Sequence, residues 1–389
     1  MVAESGGSVS RLPALDTARG FAMVLVCLSH FVWSATQTVG ETRTFDLLLK
    51  LSMIASPAFV LISGITLGYV HESGGAVYSR FAAKLRERGL LLLTVAHLCM
   101  LPAFHYLAPS RAEAFRVLPI TTTIGLCLLL GPSLVSRLSV RGRVLVGALL
   151  IAASWVLVYL TPADPQGTLL DIVKDAVVGA RHRSWWFYSF PVLPWFGAYL
   201  IGAAVGAGVA AASATGSAAV RVLLLKWAAG LVGAAVALEL GLLAARLALP
   251  SNALLADLGG SVGNPFGKVP PTPAYLLVFG AAGLAMTAVS NVLLERGWLR
   301  WLTRRASEIG RSSLVVFVVQ SYLYYALELH WLPPRHVWPL YFLATLGIVL
   351  LTARLWLAAG GNKLLVVPGF ARTHAAIARL AARGTADVR

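Results

Sequence analysis

The stretch LDTARGFAMVLVCLSHF, residues 15–31, combines the apolar composition of a membrane helix with three ionisable side chains. Asp16 and Arg19 stand near its start, and His30 follows about three helical turns later. A charged side chain near the centre of a bilayer costs roughly 2.5–3.5 kcal/mol on insertion scales, so ionisable residues are rare there and usually serve a function. The stretch therefore predicts a transmembrane helix with a functional polar face.

The rest of the chain has the composition of an integral membrane protein. Of its 389 residues, 58% are hydrophobic and only 12% are charged, whereas about 25% of residues are charged in ordinary soluble domains. Apolar segments of about 20 residues, the length that spans a bilayer, recur along the chain. We predict an all-α, polytopic integral membrane helical bundle of about ten transmembrane helices, at 20–38, 51–70, 89–108, 117–135, 144–160, 189–211, 222–248, 273–293, 311–328 and 338–358.

The distribution of basic residues predicts the orientation of the protein. Residues 1–365 are predicted to form one transmembrane domain, and residues 366–389 a basic cytoplasmic tail. With ten spans and a cytoplasmic N-terminus, 22 of the 32 Lys and Arg residues fall on the cytoplasmic side, as the positive-inside rule expects. We therefore expect a multi-pass protein of the cell membrane, embedded in the lipid bilayer, with both termini in the cytoplasm.

Several other classes of protein are disfavoured. The net charge of +16 does not indicate a nucleic-acid partner, because the cations lie in short loops between apolar segments. Cys27, Cys99 and Cys127 lie in apolar stretches and are predicted to be small buried hydrophobes. No motif indicates a metal site, a phosphate-binding loop or a dinucleotide fold. The spacing of Gly202 and Gly206 is more typical of close helix packing.

Asp16, Arg19 and His30 are predicted to share one face of the first helix. Eleven residues bring His30 to within about 20° of Arg19 and about 16 Å further along the axis. This predicts an Asp–Arg pair at the cytoplasmic mouth and an imidazole about halfway into the membrane, where it could accept and return a proton. From the residues alone, His30 could instead bond to a neighbouring helix, and Arg19 could be an anchor at the membrane surface.

Four blocks of the chain resemble membrane acyltransferases. RLPALDTARGFAMVLVCLSHF (11–31) resembles the opening of membrane-bound acyltransferase family 3, whose first helix carries Leu-Asp-x-x-Arg-Gly and Arg-x10-His. SPAFVLISGITLGY (56–69) resembles the second-helix block of the same superfamily. FPVLPWFGAYLIGAAVG (190–206) and GKVPPTPAYLLVFGAAGL (267–284) resemble blocks of its heparan-α-glucosaminide N-acetyltransferase-like branch, in which bacterial relatives keep a histidine at the position of His30.

The resemblance implies transfer of an acyl group, usually acetyl from cytoplasmic acetyl-CoA, to a hydroxyl or amine of a glycan or glycolipid. It places Arg19 and Asp16 near the arriving donor, and His30 on the path to the acceptor as a general base or a transient acyl carrier. We favour the general base, because no sequence feature demands a covalent intermediate. The chain departs from many acyltransferase-3 members at Gln320, where they carry a late-helix histidine.

Two further groups of residues are candidates for substrate binding. Basic segments at 80–89 and 296–311 could bind the phosphates of CoA, or could serve membrane topology and anionic lipids instead. The donor candidates are Arg80, Lys84, Arg86, Arg88 and Arg311. In the longest outer loop, the acceptor candidates are His182, Trp185 and Trp186, with an aromatic membrane belt as the alternative.

The main alternative function is a proton-coupled transporter or flippase, in which Asp16, Arg19 and His30 would form a proton relay. The sequence lacks the internal repeats common in transporters, which counts against it. A sugar transferase that uses a lipid-phosphate donor would need charged residues gathered outside, whereas most of the basic residues are predicted inside. The identity of the acceptor and the choice between O- and N-acylation stay open, and the sequence is compatible with a homo-oligomer.

Overall fold

The computed structural model describes residues 11–40, 42–75, 77–105, 117, 119–160, 169–179, 190–328, 337–363 and 365. Within these ranges the regular structure is helical and no β-strand is formed. The helices are α1 (Pro13–Val39), α2 (Arg43–Ser52), α3 (Ala55–Gly74), α4 (Val77–Leu91), α5 (His97–Phe104), α6 (Ile120–Val135), α7 (Val140–Leu160), α8 (Leu169–Val177), α9 (Val192–Ser213), α10 (Ser217–Ala248), α11 (Ala253–Val262), α12 (Pro273–Glu295), α13 (Arg300–Arg311), α14 (Ser313–Ser321) and α15 (Trp338–Ala358).

Two short π-helical segments and one 3₁₀ turn complete the regular structure of the described ranges. Leu92–Ala96 joins α4 to α5, and Tyr322–Glu328 continues α14. The 3₁₀ turn Gly361–Lys363 follows α15. Wider π-helical turns are rare and often occur at functional sites.

The predicted fold class, an all-α membrane bundle, is confirmed. Eight helical segments of the described ranges are long and apolar enough to cross a bilayer. Two shorter apolar helices, Ile120–Val135 and Ser313–Tyr325, lie where the fourth and ninth spans were predicted. Several helices extend beyond the predicted spans, because polar residues continue a helix past its apolar part; α10, for example, runs over 32 residues.

Glycines on α3 and α9 let these two helices pack closely at the centre of the bundle. A side chain at Gly202 or Gly206 would collide with the backbone carbonyls of Leu61 and Ile65 on α3. The contact is reciprocal, since Gly64 on α3 meets the backbone of α9. The prediction that Gly202 and Gly206 mark close helix packing is therefore confirmed.

A second close contact joins α1 to α13. Gly20 faces the backbone of Ala306, and Gly310 faces the backbone carbonyl of Asp16. This contact brings the C-terminal end of α13, which carries Arg311, beside the N-terminal part of α1. Helix α1 itself begins with Pro13, whose fixed φ suits the first turn, and with Asp16, whose charge suits the N-terminal end of the helix dipole.

The outer helices expose apolar side chains, as expected for surfaces that face lipid. On α10 the exposed residues include Leu225, Val232, Val236, Leu240 and Leu243. The prediction for the cysteines holds for Cys27 and Cys127, which are buried, and is wrong for Cys99, which is exposed. Apolar sequence alone does not distinguish a residue that faces lipid from one that faces the core.

Candidate active site

A cavity of about 1000 Å³ lies among α1, α3, α4 and α14 and has a cationic end and a histidine end. This volume is at the upper end of the range that accommodates small molecules and cofactors. Asp16, Arg19 and His30 of α1 all line it, so the face predicted from the spacing of these residues is the face that points into the cavity. Its polar lining also includes Arg11, Ser29, Ser52, Ser56, Ser63, Thr66, Lys84, Arg88, Thr121, Lys268, Arg311, Ser312, Ser313, Ser321, Tyr325 and Asn362.

Asp16 organises one end of the cavity through two ion pairs. Its Oδ2 accepts a hydrogen bond of 2.6 Å from Arg11 Nε, and its Oδ1 lies 3.3 Å from Arg19 Nη1. Arg19 also donates from Nη2 to the Thr66 hydroxyl on α3, at 3.3 Å. These bonds hold the guanidinium of Arg19, whose side chain is 18% exposed, at the wall of the cavity.

The same end carries more positive charge than Asp16 can neutralise. Lys84, Arg88 and Arg311 line the cavity together with Arg11 and Arg19. Among the described lining residues, Asp16 supplies the one carboxylate, so five cations face one anion. The Nε of Arg88 is buried and has no hydrogen-bond partner within the described ranges. Neighbouring positive charges repel one another and a buried donor without a partner is costly, so this end of the cavity is suited to an anionic ligand.

His30 lies at the other end of the cavity, fixed by contacts on two sides. Its Nδ1 is 3.0 Å from the Oε1 of Gln320 on α14, and Gln320 is only 1% exposed. Its ring stacks on Tyr324, with the ring centroids 4.5 Å apart and the planes 16° apart. The imidazole is therefore held in one orientation at the cavity wall, as a proton-transferring group would need to be.

The π-helical segment Tyr322–Glu328 supplies an aromatic wall that the sequence did not predict. Its adjacent tyrosines, Tyr324 and Tyr325, both contact His30, with centroid distances of 4.5 and 5.9 Å. Tyr325 also packs edge-on against Phe104 of α5. The wider turn lets two consecutive rings meet one imidazole, and nothing in the sequence marks this local change of helix type.

Lys268 is a second residue that the sequence analysis quoted within a motif without assigning it a role. It lines the same cavity, its Nζ is 5.9 Å from the ring centroid of Phe190, and its charge acts on His30. Burial lowers the pKa of the Lys268 ammonium below its ordinary value. The segment that carries it is held by backbone and side-chain bonds from Thr272 to Gly267 and Asn264.

The structure brings only some of the predicted substrate-binding residues to the cavity. Lys84, Arg88 and Arg311 line it, whereas Arg80 is exposed elsewhere and Arg86 donates to the Ser133 hydroxyl. On α4, positions 84 and 88 are one turn apart and share a face, and Arg80 lies one turn earlier, towards the start of the helix and outside the cavity lining. The acceptor candidates His182, Trp185 and Trp186 lie outside the described residues.

Among the described lining residues, the chemistry available in the cavity is that of cations, hydroxyls, the carboxylate of Asp16 and the imidazole of His30. No group of three or more His, Cys, Asp or Glu side chains that could hold a metal ion is present in the part of the chain that the structure describes. A cation-rich pocket suits phosphates, and an oriented imidazole suits proton transfer to or from a bound substrate. The arrangement therefore fits a reaction between an anionic donor at one end and an acceptor at the other.

Comparison with protein families matches residues 11–227 to the family described as heparan-alpha-glucosaminide N-acetyltransferase, catalytic. The match spans more than half of the chain and runs from the start of α1 into α10. It includes Asp16, Arg19, His30 and Arg88, whereas Lys268 and Gln320 lie beyond it. A search of curated proteins gave no match.

Proposed function

The chain belongs to the heparan-α-glucosaminide N-acetyltransferase catalytic family, and from this premise we propose that it transfers an acetyl group from acetyl-CoA to a glycan or glycolipid. Membership in an acetyltransferase family and the all-α membrane fold are established. The donor, the acceptor and the side of the membrane from which each arrives belong to the proposal. The family match also favours an acetyltransferase over the transporter or flippase considered from the sequence.

The cationic end of the cavity supports acetyl-CoA as the donor. CoA carries a pyrophosphate and a further phosphate, and Arg and Lys form charge-assisted hydrogen bonds with phosphate oxygens. Arg11, Arg19, Lys84, Arg88 and Arg311 would bind these phosphates. The excess of cations over Asp16 and the unpartnered Nε of Arg88 support this assignment, because a bound phosphate would supply the missing negative charge.

The position of His30 supports its role in the transfer step. As the acceptor oxygen or nitrogen attacks the acetyl carbonyl carbon, its proton passes to the imidazole and the carbon–sulfur bond to CoA breaks. The imidazole then gives the proton to the departing thiolate and is neutral again. His30 is thus proposed as the catalytic residue. Arg19 and Asp16 lie nearer the start of the same helix, at the end of the cavity where the donor would bind.

One observation supports the proposal most directly: a single cavity joins a cluster of five cations to an oriented histidine, and one helix contributes to both ends. The distribution of Lys and Arg supports entry of the donor from the cytoplasmic side, with both termini on that side. The acceptor would then approach His30 from the opposite side, so that the cavity connects the two substrates.

Binding of radiolabelled acetyl-CoA to the purified protein in detergent tests the donor assignment. Arg88→Ala should weaken binding by about 10- to 100-fold, since hydrogen bonds to charged groups contribute about 1.5–3 kcal/mol each. Salt should weaken binding to the wild-type protein more than binding to the variant, because one phosphate contact has been removed.

Arg141→Ala is the matched control, since Arg141 is exposed and does not line the cavity. It should bind acetyl-CoA like the wild type. If Arg88→Ala and the wild type bind acetyl-CoA with equal affinity, the phosphates of CoA do not contact Arg88 and the donor assignment is contradicted. A wild-type protein that does not bind acetyl-CoA would contradict the proposed function itself.

A further inference from the structure

The amide of Gln320 has one orientation that satisfies its neighbours. Ser321 donates its hydroxyl proton to the carbonyl of Phe317, at 2.8 Å, as serines in helices often do. A hydroxyl has a single proton, so towards Gln320 the Ser321 oxygen can act only as an acceptor. The Gln320 Nε2, 3.2 Å away, therefore donates to Ser321.

This orientation turns the carbonyl oxygen of the amide towards His30. The Gln320 Oε1 lies 3.0 Å from His30 Nδ1 and has only lone pairs to offer. A neutral imidazole with its proton on Nδ1 donates to this oxygen, whereas the other tautomer would place two lone pairs against each other. Both Gln320 and Ser321 are 1% exposed, so water cannot replace the bond that the other tautomer would lack.

We propose that Gln320 is a positioning residue that holds the proton of His30 on Nδ1 and leaves the Nε2 lone pair as the proton acceptor. The imidazole makes no second hydrogen bond within the described ranges, and it lines the cavity, so Nε2 is the nitrogen available to a substrate. Stacking on Tyr324 restricts rotation of the ring and so prevents the two nitrogens from exchanging places. A chain of hydrogen bonds, here called the relay, thus runs from His30 through Gln320 and Ser321 to the carbonyl of Phe317.

An amide partner has a consequence that a carboxylate would not have. Gln320 can accept the Nδ1 proton without adding a negative charge next to His30. The imidazole is therefore oriented by a neutral group, in a region where a further buried charge would be expensive. The catalytic consequence of this arrangement rests on the proposed function, whereas the tautomer itself is a property of the folded protein and can be measured without a substrate.

Nitrogen NMR of ¹⁵N-histidine-labelled protein in bilayers tests the tautomer directly. Protonated and unprotonated ring nitrogens have well-separated shifts, and a spectrum of His30→Asn identifies the signals of His30 by their loss. We expect the wild-type His30 to carry its proton on Nδ1 and to leave Nε2 unprotonated. A wild-type His30 with its proton on Nε2 would overturn the proposal, whether or not the protein transfers acetyl groups.

Two variants test the role of the relay. Gln320→Leu should give a mixture of both tautomers and lower kcat by roughly tenfold or more, with unchanged binding of acetyl-CoA, because the donor cations are untouched. Ser321→Ala should shift the balance of the two His30 tautomers in the same direction by a smaller amount, because the amide of Gln320 can then rotate. Ser290→Ala is the control, because Ser290 also donates within its helix but does not line the cavity.

A purely structural role for Gln320 predicts a different pattern. Gln320→Leu would then lower the melting temperature while His30 kept its Nδ1 proton and kcat stayed at the wild-type value. That result would overturn the proposal. If Gln320→Leu does not fold, the nitrogen spectra of the wild type and of Ser321→Ala still test the proposal, because both report which ring nitrogen of His30 carries the proton.

Discussion

Lys268 is an ammonium group placed near His30, at the opposite end of the cavity from the cationic cluster. Its neighbour is the ring of Phe190, and no ion pair to it forms within the described ranges. Arg11 and Arg19 form ion pairs with Asp16, whereas no carboxylate pairs with Lys268 among the described residues. A charge held in this way stabilises the folded protein less than an exposed lysine would.

The lowered pKa of Lys268 predicts how its replacement changes stability with pH. Burial favours the neutral amine in the folded protein, while the unfolded chain keeps the ordinary pKa of about 10.4. At any pH below about 10.4 the unfolded chain keeps the proton at little cost, whereas the folded state must either bury the charge or give up the proton. Lys268→Met should therefore raise the melting temperature at pH 7, measured by scanning fluorimetry in detergent.

This gain should shrink as the pH rises from the folded-state pKa towards about 10.4, because the unfolded chain then also loses its proton. Lys226→Met is the control, since Lys226 is exposed on α10. Its melting temperature should change little at any pH. A lower melting temperature for Lys268→Met than for the control at pH 7 would mean that the ammonium makes a stabilising contact.

At the scale of single residues, the sequence could predict the face of the first helix but not its partners. Asp16, Arg19 and His30 are near in sequence, so helical periodicity was enough to place them together. Gln320 contacts His30 and Lys268 lines the same cavity because of the fold, over sequence separations that periodicity does not address. Arg80 and Arg86 illustrate the same limit, since their charge was visible and the surroundings of their positions on α4 were not.

At the scale of helices, some glycines pack against a neighbouring backbone and others face open space. Replacement by alanine should destabilise the protein at the first kind and stabilise it at the second. Gly206 meets the backbone of α3, where an added methyl group has no room. Gly230 on α10 has nothing within 4 Å of the position where a side chain would begin. The sequence alone marks both as glycines in apolar helices, and only the packing separates them.

Gly206→Ala should lower the free energy of unfolding by about 1–3 kcal/mol, the usual cost of overpacking a close contact. Gly230→Ala should raise it by about 0.8–1 kcal/mol, because alanine has the higher helix propensity. Thermal unfolding of the two purified variants beside the wild type measures both effects. A Gly206→Ala protein as stable as Gly230→Ala would contradict the close α3–α9 contact.

At the scale of the whole molecule, the order and approximate positions of the helices could be predicted because bilayer thickness sets helix length. The way these helices surround a common cavity could not, because apolar composition is the same on lipid-facing and core-facing sides. The family match covers the half of the chain that carries Asp16, Arg19 and His30. The orientation with both termini in the cytoplasm stays a prediction from the distribution of Lys and Arg.

The central claim is that His30 accepts a proton during acetyl transfer inside this cavity. His30→Asn keeps a side chain of similar size that can still hydrogen-bond to Gln320, but it has no basic nitrogen. The account predicts that acetyl transfer from acetyl-CoA falls by about 10²–10⁴-fold, the usual contribution of a positioned general base, while acetyl-CoA still binds at the cationic end.

The measurement that tests this claim most directly is the turnover of well-folded His30→Asn protein with radiolabelled acetyl-CoA and a glycan acceptor, from pH 6 to 8. Thermal unfolding and acetyl-CoA binding equal to the wild type establish that the variant is intact. The account predicts that transfer is nearly lost across this range. Turnover close to the wild-type value would contradict it and would leave His30 as a packing residue of α1.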